Sequence, residues 1–119
     1  MKTAIALIMA FGISAGGCLL AAQSRPPGMQ SLDTKETLGR GQAVFQKNCS
    51  ICHYAASTQK KIGPGLRGLT ARGRFADGTR VDSHNLTRWI QEGGKNMPPF
   101  RNQLTDAQMR DLLAYIRTL

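Results

Sequence analysis

The sequence predicts an all-α fold of three to five short helices. Three segments of the 119 residues carry apolar side chains at helical spacing, and each is bounded by a cap or a breaker. Convincing strand alternation is absent throughout. The aromatic fraction is 6%, low enough that a bound group is expected to fill volume that side chains otherwise fill in so small a domain.

The first helix starts at Asp33 or Thr34, either of which can cap it, with Glu36 in the first turn beside the positive end of the dipole. Leu38, Gly41 and Phe45 share a face, and the helix runs towards Cys49. Glycine inside a helix costs roughly 1 kcal/mol relative to alanine, so Gly41 marks a helix end or the close approach of another element. The second helix spans residues 83–92. Leu86, Trp89 and Ile90 form its apolar stripe, and Gly93-Gly94 stops it. The third runs from Asp106 to the end of the chain. Thr105 to Gln108 reads as a capping box, Leu104 and Met109 as its hydrophobic staple, and Met109, Leu112, Leu113 and Ile116 as its buried face. Asp77-Gly78 signals a turn, around which a short hairpin over residues 73–81 is an expectation.

The organisation is tripartite. Residues 1–22 have the pattern of a secretory signal: Met1-Lys2, an apolar run from Ala4 to Ile13, then small residues. Ala22-Gln23-Ser24 is a small-x-small cleavage site, while Ala15-Gly16-Gly17-Cys18 loosely resembles a lipoprotein box that would lipidate Cys18 and tether the chain to a membrane. Residues 23–34, with Arg25-Pro26-Pro27-Gly28, read as a flexible linker, and residues 35–119 as one domain.

Chemistry concentrates in Cys49-Ser50-Ile51-Cys52-His53. Two thiols followed at once by an imidazole form the attachment signature of a c-type haem. Each thiol can add across one porphyrin vinyl group, and the adjacent histidine can then reach the iron. A C-x-x-C pair also suits a redox dithiol, which expects a βαβ setting not seen here. It also suits half a zinc site, whose remaining ligands would have to come from His84 or Cys18.

A sixth iron ligand follows by elimination. Met1 and Met9 lie in the signal segment, Met29 in the linker, and Met109 on a core stripe. Met97 remains, between a helix stop and Pro98-Pro99. Pro98 biases it away from helical geometry, so a stiff loop presents one thioether. The competing reading is a methionine packed under the ring without coordination. His84, near a helix start among polar residues, reads as solvated or capping.

Cys49-x-x-Cys52-His53, Gly63-Pro64-Gly65-Leu66, Met97-Pro98-Pro99-Phe100 and the terminal helix together resemble a class I bacterial c-type cytochrome of the small mono-haem kind, over about residues 36–119. The resemblance implies helices wrapped around one covalent haem c, attached through Cys49 and Cys52 outside the cytoplasm. It implies His53 as proximal ligand, Met97 as distal ligand, and the Pro64 carbonyl as hydrogen-bond partner of the histidine. It implies that the first and last helices cross with Gly41 against Tyr115. Trp89 resembles a residue near a haem propionate, although core packing would explain it equally well.

The formal net charge is +9. Lys60, Lys61 and Arg67 flank the proximal loop, and Lys95 and Arg101 flank Met97. Such a collar would steer the protein to redox partners with acidic docking surfaces, while a generic solvated basic surface is the plain alternative. Nucleic acid is a poor candidate partner for an exported chain; anionic lipid is a further candidate. The expected function is a periplasmic one-electron carrier with no catalytic residues of its own, because two occupied axial sites favour electron transfer over substrate chemistry. The alternatives are a haem-bearing subunit of a dehydrogenase or oxidase complex, and a ligand-binding or peroxidatic haem protein.

Overall fold

Helix α1 spans Lys35–Asn48 in the computed structural model, which describes residues 34–119. The signal segment, Cys18, Met29 and the linker as far as Asp33 lie outside the described residues. Thr34 is the N-cap, its side chain accepting from the Thr37 N–H, with Glu36 in the first turn. The buried face consists of Thr37, Gly41, Val44 and Phe45. Leu38 is only half-buried, one step off that face.

Helix α2 is a single turn, Leu69–Arg72, bracketed by Gly68 and Gly73, which both have left-handed backbone near φ 70°. Helix α3 spans Ser83–Glu92, the predicted range. Its N-cap is Asp82, whose carboxylate accepts from the Asn85 N–H at 2.8 Å. Helix α4 spans Asp106–Ile116, shorter than expected, because residues 117 and 118 continue as a turn. Its capping box is present: the Gln108 N–H donates to Thr105 Oγ1, and the Thr105 N–H donates to Gln108 Oε1.

The expected hairpin over residues 73–81 is reduced to an isolated Arg74–Arg80 bridge with no strand on either side. The Phe75 N–H reaches the Thr79 carbonyl at 2.8 Å. Asp77 Oδ1 accepts from the Thr79 N–H at 2.9 Å, which holds the Asp77 carboxyl below its ordinary range. A side-chain turn therefore does the work a ladder would do.

The core forms where α1 crosses α4, joined by Leu69, Leu86, Ile90 and Phe100. Gly41 sits at the crossing. A Cβ there would overlap the Asp111 carbonyl oxygen and stand 2.8 Å from Tyr115 Cβ, so only glycine permits this approach. Phe45 and Tyr115 pack tilted, with centroids 5.6 Å apart. At the rim, the Arg40 guanidinium grips Asp111 with Nε–Oδ2 at 2.6 Å and Nη2–Oδ1 at 3.3 Å. Leu112 is fully buried at the centre. Leu112→Ala is therefore expected to cost about 2–5 kcal/mol, read as a lower urea midpoint with unchanged slope.

Candidate haem site

The end of α1 carries the chain directly into the two-cysteine segment. Phe45, 2% exposed, anchors the last turn, and its carbonyl accepts from both the Cys49 and Ser50 N–H groups. Cys49 thus caps a helix whose other face is fixed in the core. The Cys49 carbonyl then accepts from the Cys52 and His53 N–H groups at 3.0 and 2.9 Å, closing the turn that joins both thiols to the imidazole. Both cysteines are free and half-buried. Burial, with a smaller contribution from Cys52, pushes the Cys49 thiol up to about 11. Among the described residues no three His, Cys, Asp or Glu side chains converge on one point.

His53 Nδ1 lies 2.8 Å from the Pro64 carbonyl oxygen. A carbonyl only accepts, so Nδ1 carries the proton and the Nε2 lone pair is left for a metal. Gly63 backs the ring: a Cβ there would overlap the imidazole, with His53 Nδ1 at 2.8 Å and Nε2 at 2.9 Å. Gly65 is buried against the Ser57 and Gln59 carbonyls, leaving no room for a side chain. Cross-links tie this loop to the cysteine segment: Gly63 N–H to Cys52 carbonyl and Leu66 N–H to Tyr54 carbonyl, each at 2.8 Å. Sequence reasoning singled out Pro64, but the steric demand at Gly63 and Gly65 emerges only once His53 is in place.

Met97 lies on a second loop, half-buried against the core. It exchanges backbone hydrogen bonds with Gly94, at 2.9 and 3.2 Å. Gly93 has φ 72°, and a Cβ there would overlap the Met97 carbonyl. The two glycines therefore end α3 and also let the Met97 loop fold back on it. Buried Phe100, whose N–H donates to the Ile90 carbonyl, fixes the other end.

Trp89 packs on Phe75 with centroids 6.0 Å apart and lies across Gly94. His84 is exposed on α3. In the basic collar, Lys61 Nζ donates to the Ser50 carbonyl at 2.7 Å and stands over the Tyr54 ring, and Arg101 lies 3.6 Å from Glu92. Lys60, Arg67 and Lys95 are exposed.

The model of the cytochrome c family matches residues 38–119. The chain belongs to the cytochrome c family. It is 34% identical over 90 residues to a cytochrome c-553-like protein of Synechocystis sp., covering 76% of each chain. It is 28% identical over 81 residues to cytochrome c6 of Synechococcus elongatus, covering 66% of this chain and 86% of that one. Over 107 residues it is 31% identical to a nicotinate dehydrogenase subunit of Pseudomonas putida, covering 82% of this chain but 8% of that protein. As a cytochrome c, the chain functions in haem electron transfer between redox partners, and its cofactor is covalent haem c. Cys49 and Cys52 have the spacing of thioether attachment.

The residues fit that group on structural grounds. The pair of thiols beside an imidazole already tautomerised by the Pro64 carbonyl is the donor set a covalent haem requires, and Gly63 leaves the ring unobstructed. No helix among the described residues is long and apolar enough to cross a membrane.

Proposed function

We propose that this cytochrome c is an exported, periplasmic one-electron carrier in which His53 and Met97 are the axial ligands. The observation that carries the ligand assignment is the His53 Nδ1–Pro64 bond, which leaves one lone pair at Nε2. Met97 supports it as the half-buried thioether on a loop stiffened by Gly94 bonds and two prolines. When bound, haem supplies one-electron chemistry between ferrous and ferric iron. The chain's own residues hold it, orient the imidazole, close the second axial position and keep water from the metal.

Residues 1–22 serve as the export signal and residues 23–34 as a linker, with Cys18 as a candidate lipid attachment point. Encounter partners would be acidic: no Asp or Glu occurs from residue 37 to 76, a stretch carrying seven Lys and Arg. Exposed Lys60 and Arg67 belong to that stretch, and Lys95 lies beside Met97.

A second reading has one observation in its favour. The likeness to the nicotinate dehydrogenase subunit covers 82% of this chain, which suits a haem-bearing component within a dehydrogenase or oxidase assembly. The purified holoprotein is expected to give a reversible one-electron voltammetric wave and a ferrous spectrum unchanged by carbon monoxide. Ready carbon monoxide binding by the ferrous wild type would overturn the closed-iron carrier and support the ligand-binding alternative. Copurification with a dehydrogenase or oxidase subunit would establish the reading as part of an assembly.

A further inference from the structure

We propose that Lys61 is a potential-setting residue, whose ammonium is clipped onto the haem-attachment turn and favours the ferrous state. This rests on the one-electron carrier reading with haem held by Cys49 and Cys52, and it is independent of which side chain fills the sixth position.

Lys61 is pinned at both ends. Its backbone N–H donates to the Gly63 carbonyl at 2.9 Å, which ties it into the loop that carries Pro64. Its Nζ donates to the Ser50 carbonyl at 2.7 Å. The same Nζ stands 5.1 Å from the centroid of the Tyr54 ring, within reach of a cation–π contact. Two separate holds therefore fix the head group of a side chain that would otherwise swing through water.

The acceptor is itself fixed. The Ser50 N–H donates to the Phe45 carbonyl at 3.0 Å, and the Ser50 hydroxyl donates to the Gln46 carbonyl at 2.6 Å. Ser50 thus belongs to the cap of α1, whose last carbonyls form the negative end of the helix dipole and favour a cation beside them. Ser50 also lies between Cys49 and Cys52 in the chain. The ammonium is therefore held on the peptide segment between the two attachment points, not merely somewhere on the basic collar.

One electron entering the iron converts ferric to ferrous and lowers the charge there by one unit, and no proton moves. A cation fixed nearby favours the state with the smaller positive charge. Exposed Lys60 carries the same charge one residue earlier, but a solvated ammonium at the end of a free stem is screened by salt.

The test is a spectroelectrochemical titration of purified holoprotein carrying Lys61→Met, Lys61→Arg or Lys60→Met. Each Met variant removes one positive charge, from adjacent positions. At the wild-type midpoint, Lys61→Met is expected to lower the ferrous-to-ferric ratio about threefold, the size of a partly solvated charge interaction. That corresponds to ~28 mV, at about 59 mV for each tenfold change in a one-electron couple. Lys61→Arg should keep the wild-type midpoint, because a guanidinium can donate to the same carbonyl and stack on Tyr54. Lys60→Met should give less than half the shift of Lys61→Met. An unchanged midpoint in Lys61→Met, or equal shifts in the two Met variants, would overturn the assignment to Lys61 while leaving the carrier intact. A wild type without a reversible one-electron wave would instead overturn the carrier reading, and this inference with it.

Discussion

Met97→Ala is expected to abolish the sulfur-to-iron charge-transfer band of the ferric protein and to lower the reduction potential. The fall should be on the order of 0.1 V, a fraction of the roughly 0.8 V over which axial ligands set haem potentials. The loop itself should outlast the change. Gly94 and Met97 exchange backbone hydrogen bonds, Gly93 lets the carbonyl of Met97 approach α3, and Phe100 is buried beyond the prolines. Truncation at Cβ leaves all of these in place, so only the thioether is lost. The vacated axial position would then bind carbon monoxide in the ferrous state. A charge-transfer band that survives Met97→Ala would mean that the side chain packs without coordinating.

Gly41→Ala should give the largest loss of stability from a single added methyl group. On an isolated helix the change would favour folding by about 1 kcal/mol. Here the new Cβ would overlap the Asp111 carbonyl oxygen and approach its carbon to 2.7 Å. Backbone of a packed helix cannot rotate aside as a side chain can, so α1 must move away from α4. Overpacking of this kind costs up to roughly 3 kcal/mol, so the packing loss outweighs the propensity gain. A net loss of about 2 kcal/mol corresponds to a melting temperature lower by about 10 °C for a domain this size. Thermal unfolding followed at the haem absorbance would measure it, and a melting temperature at or above wild type would show that the crossing is looser than the geometry indicates.

Much of this is legible in the residues. Helix α3 has its predicted bounds because Gly93-Gly94 is a hard stop and Leu86 and Ile90 mark the buried side. Gly41 signals a close approach before its partner is known, since a mid-helix glycine has to be compensated by something. The attachment segment is readable because its chemistry lies in side-chain identity and spacing. Helix α2 is not readable: one turn is too short to express a period, and its limits are set by backbone conformation at Gly68 and Gly73. The hairpin signal at Asp77-Gly78 is genuine as a turn, but the Asp77 side chain closes it and pairing stops after one bridge. Lys61 reads from the sequence as part of a free basic collar. Its bond to the Ser50 carbonyl is invisible there, because main-chain acceptors are present at every position and only the fold selects among them.

The crossing of α1 with α4 also fixes an order of events. Arg40 and Asp111 are 71 positions apart, so the face of α1 that carries Gly41 and Phe45 has no partner until the last helix has been made. Closure over so long a separation is slow. Until α1 and α4 meet, the turn of Cys49, Cys52 and His53 at the end of α1 has no closed domain behind it.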